Sequence, residues 1–155
     1  MMETKDILRN LESLFKLDVD AVHAYDQALQ KIDVPKVRER LMDFKADHER
    51  HVNDISSAIQ RLGGNAPERS RDFKGFLIEG FTAIRSVTGT EGALRAMKTN
   101  ENLTNKTYSG AVVWDLPEDI MKMVRRNRDD EQRHLQYINE CINTKVWEEA
   151  HRETA

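Results

Sequence analysis

The sequence holds a single cysteine, Cys141, among 155 residues. One thiol cannot build a disulfide framework, a cysteine-rich zinc site or an iron–sulfur centre. Glycine and proline are scarce, at 7 and 3 residues, about half the usual share. No apolar run exceeds the four residues Ala111–Trp114, where about 20 are needed to cross a bilayer. The first residues lack the apolar stretch of a secretory signal, so the expectation is a cytoplasmic protein. Charge of one sign is missing too. Lys+Arg number 24 against 27 Asp+Glu, a net charge of −3, which favours neither nucleic acid nor an anionic membrane as a partner.

What is present suits long, solvated helices. Charged residues make 33% and hydrophobic residues 39%. Four segments carry apolar residues at helical spacing. The first runs from about Thr4 to Ile32, with Leu8, Leu11, Leu14, Phe15, Val22, Tyr25 and Leu29 on one stripe. The second opens at Asp33-Val34-Pro35, where proline suits a first helical position, and Gly63-Gly64 stops it. The third starts near Thr90-Glu91. The fourth opens at Asp115-Leu116-Pro117 and either continues to Trp147 or frays after Asn143. Between the second and third lies a crossover from Gly63 to Gly89. Its stretch Arg71–Val87 reads as a shorter helix bearing Phe73, Phe76, Leu77, Phe81 and Ile84, weakened by Gly75 and Gly80. The expected fold is all-α: one domain over residues 1–155, a four-helix bundle of two hairpins with a helix-containing crossover at 63–89 and a tail at 144–155.

The chain repeats itself at an offset of 83 residues. Leu11 pairs with Leu94, Asp18 with Glu101, Tyr25 with Tyr108, Asp47 with Asp130, and Arg50-His51 with Arg133-His134. Two hairpins of similar design follow.

The apolar stripes have gaps, and polar residues fill them. Asp18 stands between Phe15 and Val22, His48 and His51 between Phe44 and Val52 on the same side, and Glu101 follows Met97. On the fourth segment Asn127, Glu131 and His134 follow Val124. Spacings of three and four keep them on the inward faces. At 1.5 Å per residue, each hairpin brings its group to roughly 21–27 Å from its turn. Three carboxylates and three imidazoles meeting in a buried layer have the composition of a metal site: Asp18, His48, His51, Glu101, Glu131 and His134. Burying an ion costs several kcal/mol unless it is compensated, against a total stability of about 5–15 kcal/mol. Two solutions stay open. A divalent cation supplies the counter-charge, or three protonated histidines neutralise three carboxylates without metal.

Asp18, Glu101 and Glu131-Gln132-Arg133-His134, spread over four helices, resemble the ferritin-like di-iron carboxylate superfamily, which includes rubrerythrin and bacterioferritin. Arg61-Leu62-Gly63-Gly64, the Tyr25 and Tyr108 motifs and the Gly-interrupted crossover resemble an uncharacterised bacterial family of ferritin-like domains. The resemblance implies that Glu131 bridges two metals, that His134 and His51 are terminal imidazoles, and that Asp18 and Glu101 are terminal carboxylates. It implies iron, as one or two ions, with manganese or zinc as other choices. The implied chemistry is Fe(II) oxidation or reaction with oxygen or peroxide, making any enzyme ferroxidase- or oxidoreductase-like. His48 departs from the pattern, which wants a bridging glutamate there. Two divalent ions bring +4 against −3 from the three carboxylates, so a single ion with mixed ligands is the simpler alternative. No rubredoxin-like cysteine pairs are present, so a redox-active protein needs an external electron donor. A homo-oligomer, a dimer first, is the expected assembly. The rival reading is a non-enzymatic stress or assembly protein whose inner layer is metal-free.

Other residues carry less. Tyr25 and Tyr108 read first as core residues with a satisfied hydroxyl, and otherwise as donors to the ligand carboxylates. Asn127 supports Glu131 or satisfies a neighbour. His23 reads as solvated and Cys141 as a small packed hydrophobe. Lys122, Arg125, Arg126 and Arg128 read as a solvated face. The polar run from Thr99 to Thr107 reads either as a break in the third helix or as a face turned to a polar centre.

Overall fold

The structure is a computed structural model and describes residues 2–68, 75, 76, 78, 80, 81, 84 and 86–149. Four long helices carry the fold: α1 (Thr4–Leu29), α2 (Pro35–Arg61), α3 (Gly89–Ala111) and α4 (Glu118–Asn143). Among the described residues there is no strand. The ends of α2 and α4 have local causes. Pro35 opens α2, and Glu118 and Asp119 place negative charge in the first turn of α4. Gly63, at φ +85°, closes α2: its N–H bonds the Gln60 carbonyl and the Gly64 N–H bonds that of Ile59, the paired bonds of a Schellman ending. The same pair of bonds closes α4. Lys145 takes the left-handed position at φ 51°, and the Val146 N–H reaches the Cys141 carbonyl. The fourth helix therefore stops at Asn143, and a new helical turn begins at Trp147. Trp147 is half-buried against the core, with the Arg95 guanidinium 5.9 Å from its ring.

The helices form a bundle in which α1 packs beside α2 and α3, and α4 beside α3 and α2. Short turns make α1/α2 and α3/α4 antiparallel hairpins. Asp33, in the first turn, bonds Thr90 at the start of α3 through its N–H (3.0 Å) and its carboxylate (2.6 Å). The end of α1 thus meets the start of α3, and α1 runs antiparallel to it. The chain from α2 to α3 must consequently travel the length of the bundle, about 40 Å for a 27-residue helix.

The expected helix over Arg71–Val87 falls partly outside the described residues, including Phe73 and Leu77. The described ones are not helical, and Gly75 and Gly80 have φ of +93° and +99°. Asp20, buried on the outer side of α1, holds this segment. Its carboxylate accepts the Phe76 N–H and the Ile78 N–H, each at 2.5 Å. A Cβ on Gly75 would sit 2.7 Å from Asp20 Oδ1, so the left-handed backbone and the close approach both require glycine there.

Two apolar clusters fill the bundle. One, around Leu11, Phe15, Ile55, Ile59, Ala111 and Val124, lies toward the α3/α4 turn. The other, around Ile32, Leu41, Phe44, Leu94, Met97 and Ile138, lies toward the α1/α2 turn. Between them is a fully buried polar layer from all four helices. Helix α3 runs unbroken through Asn100–Asn105, so its polar stretch is a face turned inward: Asn100, Glu101 and Thr104 are buried.

Replacing Asp20 with alanine leaves two backbone N–H groups without their acceptor and should cost about 2 kcal/mol. Gly75→Ala should cost a similar amount, about 1–2 kcal/mol, from the left-handed backbone alone. Because both act on one contact, the double variant should lose less than the two combined. Urea unfolding of the three variants measures this; strict additivity would show that Asp20 and Gly75 do not share a contact.

Candidate metal centre

Helices α2, α3 and α4 give the layer side chains three or four residues apart, and α1 gives one. From α1 comes Asp18; from α2, His48 and His51; from α3, Glu101 and Thr104; from α4, Asn127, Glu131 and His134. The six candidate ligands are all at most 1% exposed. Their donor atoms form two overlapping groups, each with all atoms within 4.8 Å of one another. One is Asp18, His48, His51 and Glu131; the other is His48, Glu101, Glu131 and His134. His48 and Glu131 belong to both.

The arrangement has an internal two-fold pattern that matches the repeat. Tyr25 on α1 donates to Glu101 on α3 at 2.5 Å, and Tyr108 on α3 donates to Asp18 on α1 at 2.5 Å. Across α2 and α4 the exchange is repeated. His134 Nε2 lies 2.8 Å from Asp47 Oδ2, and His51 Nε2 lies 2.9 Å from Asp130 Oδ2. Arg133 bonds Asp47 at 2.6 Å and Arg50 bonds Asp130, so each aspartate is itself held by an arginine. A carboxylate on the outer imidazole nitrogen fixes the ring and turns the other nitrogen inward, the usual support of a metal-bound histidine. Thr104 ties α3 to α4, its hydroxyl lying 2.9 Å from Glu101 Oε2 and 2.8 Å from Glu131 Oε2. Asn105 does the same through the backbone, donating to the carbonyls of Glu101 (2.7 Å) and Glu131 (2.9 Å).

Charge pairs neutralise the layer. Burial pushes the Asp18 carboxyl up, but His51 and His48 outweigh it and hold it at about 2. Burial opposes charge on His48, yet Glu131 and the bonds to Asp18 and Glu101 raise it to about 9. His51, likewise opposed by burial, is raised to about 12 by Asp18 and Asp130. Burial opposes charge on His134 as well, but Asp47, Glu101 and Glu131 lift it well above 6.5. Glu101, despite burial, is held well below its ordinary value by His134 and His48. Burial and the adjacent Glu101 and Asp18 raise Tyr25 and Tyr108, which stay protonated donors.

Protons do not satisfy every atom. Glu131 Oε1 and His134 Nδ1 are buried and have no hydrogen-bond partner. A carboxylate oxygen and an imidazole nitrogen left bare beside other ligand atoms suit a cation, and unpartnered buried polar atoms are otherwise costly. The buried histidine and carboxylate groups are positioned to hold a metal ion.

Comparison with known families adds one finding. A family described as a domain of unknown function, DUF2383, matches residues 6–113. The chain belongs to the DUF2383 family. No curated protein matches it. In this DUF2383 chain the matched stretch carries Asp18, His48, His51, Glu101, Tyr25 and Tyr108, while Glu131 and His134 lie beyond it on α4.

The structure brings all six sequence-derived candidates together. It corrects or sharpens several neighbours. Asn127 donates to the Tyr108 hydroxyl (3.3 Å) and makes no bond to Glu131. The tyrosine hydroxyls are satisfied, and by the candidate ligands themselves. His23 is half-buried, its ring near Gly75. Lys122 and Arg126 pair with Glu118 and Asp54 on the surface. The stripe pattern does not flag Asp47, Asp130 or Thr104 as members of the site. The signal for the two aspartates is in the repeat: Asp-x-x-Arg-His recurs at 47–51 and 130–134.

The metal-free protein should have a defined pH profile. His48 and His51, raised from 6.5 to about 9 and about 12, contribute stability that is complete below about pH 6.5 and lost as pH rises through those values. Asp18 and Asp47, lowered from 3.8 to about 2, contribute stability that is complete above about pH 4 and lost as pH falls through 2. Thermal melts in EDTA should therefore peak between about pH 4 and 6.5 and decline first on the alkaline side. A melting temperature flat from pH 6 to 9 would contradict the proton-neutralised layer.

Proposed function

We propose that this DUF2383 protein is a ferritin-like metal-binding protein whose buried histidine–carboxylate layer takes a divalent cation, iron first. The observation that carries this is the pair of bare, buried ligand atoms, Glu131 Oε1 and His134 Nδ1, in a layer whose other members are already oriented by outer partners. Asp18, His48, His51, Glu101, Glu131 and His134 supply the candidate ligands. Three carboxylates offset a divalent charge, and the mixed N/O donor set suits iron, manganese or zinc. Iron would supply one-electron exchange between its ferrous and ferric states, which links the site to oxygen or peroxide. Around it, Asp47 and Asp130 orient His134 and His51, Tyr25 and Tyr108 donate to the carboxylates, and the two apolar clusters exclude water. Cation binding must displace imidazole protons, so uptake should be weaker at low pH.

A second reading has its own support. The short contacts of Asp18 with His48 (2.7 Å) and His51 (3.0 Å) also describe a layer neutralised by protons alone. In that case the bundle acts through its surface.

Metal analysis separates the two. After anaerobic loading with Fe(II), and separately with Mn(II) or Zn(II), then desalting, the protein should retain at least one ion per chain. The Glu131→Gln, His134→Gln double variant should retain none. EDTA should lower the melting temperature of the loaded protein, and Asp47→Asn should weaken binding about 10–100-fold. No retention of any of the three ions removes the metal reading.

A further inference from the structure

Among the six candidate ligands the internal two-fold fails at one pair. At the repeat offset Glu131 should face a second glutamate, and His48 stands there instead. The substitution matters because both residues are shared by the two ligand groups. Glu131 can serve both sides. Its Oε1 lies 3.4 Å from His51 Nδ1 and its Oε2 lies 3.7 Å from His134 Nδ1. A neutral imidazole has one lone pair in the ring plane and one N–H, so it can serve only one.

The hydrogen bonds say which. His48 Nδ1 is 2.7 Å from Asp18 Oδ1, a charge-assisted N–H···O bond, while Nε2 is 3.3 Å from Glu101 Oε1. The nitrogen in the longer contact is the one that can give up its proton to a cation. The repeat-related histidines differ in the same sense. His51 has both nitrogens bonded, to Asp18 at 3.0 Å and to Asp130 at 2.9 Å. His134 has only its outer nitrogen bonded, to Asp47, and Nδ1 is bare.

Spacing agrees. Four ligands about 2.1 Å from an ion, arranged as a tetrahedron, stand roughly 3.4 Å apart. In the second group three of the six separations are 3.3 Å (His48 Nε2 to Glu101 Oε1), 3.5 Å (His134 Nδ1 to Glu101 Oε1) and 3.7 Å (His134 Nδ1 to Glu131 Oε2), and all lie within 4.8 Å. In the first group Glu131 Oε1 stands 3.4 Å from His48 and His51, but Asp18 is drawn in to 2.7 and 3.0 Å from the two rings. Those are hydrogen-bond lengths; the tyrosine bonds do not distinguish the groups, since Tyr108 donates to Asp18 Oδ2 and Tyr25 to Glu101 Oε1 alike.

We infer that the centre is mononuclear: one divalent cation, four-coordinate, bound by His48 Nε2, Glu101, Glu131 and His134 Nδ1. This inference rests on the metal-binding reading above. Asp18 and His51 are then positioning residues. Asp18, held by Tyr108 and His51, orients His48 as Asp47 orients His134. His48 is what keeps a second ion out, because its Nδ1 proton occupies the direction in which a second glutamate would offer an oxygen.

Titration of the metal-free full chain with Co(II), with the visible spectrum as readout, tests this. Saturation at one equivalent with the intense bands of four-coordinate cobalt is the expected result. Saturation at two equivalents, or one equivalent with the weak bands of six-coordinate cobalt, overturns the mononuclear assignment and leaves the metal-binding reading standing. No uptake overturns both. His134→Gln should abolish binding, whereas His51→Gln should weaken it no more than 10–100-fold at unchanged stoichiometry and spectrum. Equal loss in the two variants overturns the assignment. His48→Glu restores the two-fold carboxylate pair and should raise uptake from one to two ions, provided its circular dichroism matches the parent; a folded variant that still binds one overturns the role given to His48. If that variant does not fold, the His134/His51 comparison decides alone.

Discussion

Three carboxylates and three imidazoles share one water-excluded layer midway along the bundle, and their mutual neutralisation is the condition the fold must meet. These groups are at most 1% exposed, so each charge has to be answered by the layer itself or by the two aspartates that back it, Asp47 and Asp130. The answer comes from all four helices at once. Removing any one helix would strip a counter-charge from the other three. Apolar clusters on either side hold the helices together, but they do not fix rotation or register. The polar layer does. A one-residue slip of α4 against α2 would part His134 from Asp47 and His51 from Asp130, and both imidazoles would lose the carboxylates that keep them charged. Buried ionic layers are poor sources of stability but good at selecting a register.

Much of this is legible in the sequence because helices announce themselves by period. The inward stripes, the Asp33-Val34-Pro35 turn and the Gly63-Gly64 stop define the helices nearly to the residue. Gaps in the stripes name the layer, since an ionisable side chain on an apolar face must find its counter-charge inside the core. The residues that stay hidden lie one step off the stripe. Asp47 and Asp130 sit on the flank of their helices, where a wheel places them toward solvent. Only the neighbouring antiparallel helix shows that each reaches the other's histidine. Thr104 is hidden because a hydroxyl on an inward face reads as a weak apolar substitute. Asp20 is hidden because its partner is backbone, the N–H groups of Phe76 and Ile78, and backbone donors leave no trace in sequence. The crossover is hardest to read: its aromatic spacing suggests a helix, while the left-handed backbone at Gly75 and Gly80 breaks one.

The repeat explains why the support around the layer is so regular. Two tyrosines, two aspartates and two arginines each act on the opposite half, so every inward group is oriented by a residue from another helix. Such reciprocal support resists the collapse of one half without the other. It also makes departures from symmetry informative, because the scaffold around them is constant.

Where the halves differ, the difference falls on the groups that would meet an ion. Phe44 occupies the position that Asn127 fills in the other half, and it packs against His134 with ring centroids 4.2 Å apart. The His134 side is therefore the more apolar, and a charge placed there feels its carboxylates more strongly. On the other side Asn127 and Tyr108 give Asp18 a polar neighbourhood that keeps it satisfied without a cation. A scaffold built for two equal halves thus presents two unequal ones: His51 has both ring nitrogens bonded, and His134 has one bare. His48 stands at their boundary with one ring nitrogen toward each, so the same substitution that breaks the symmetry also decides which half stays open.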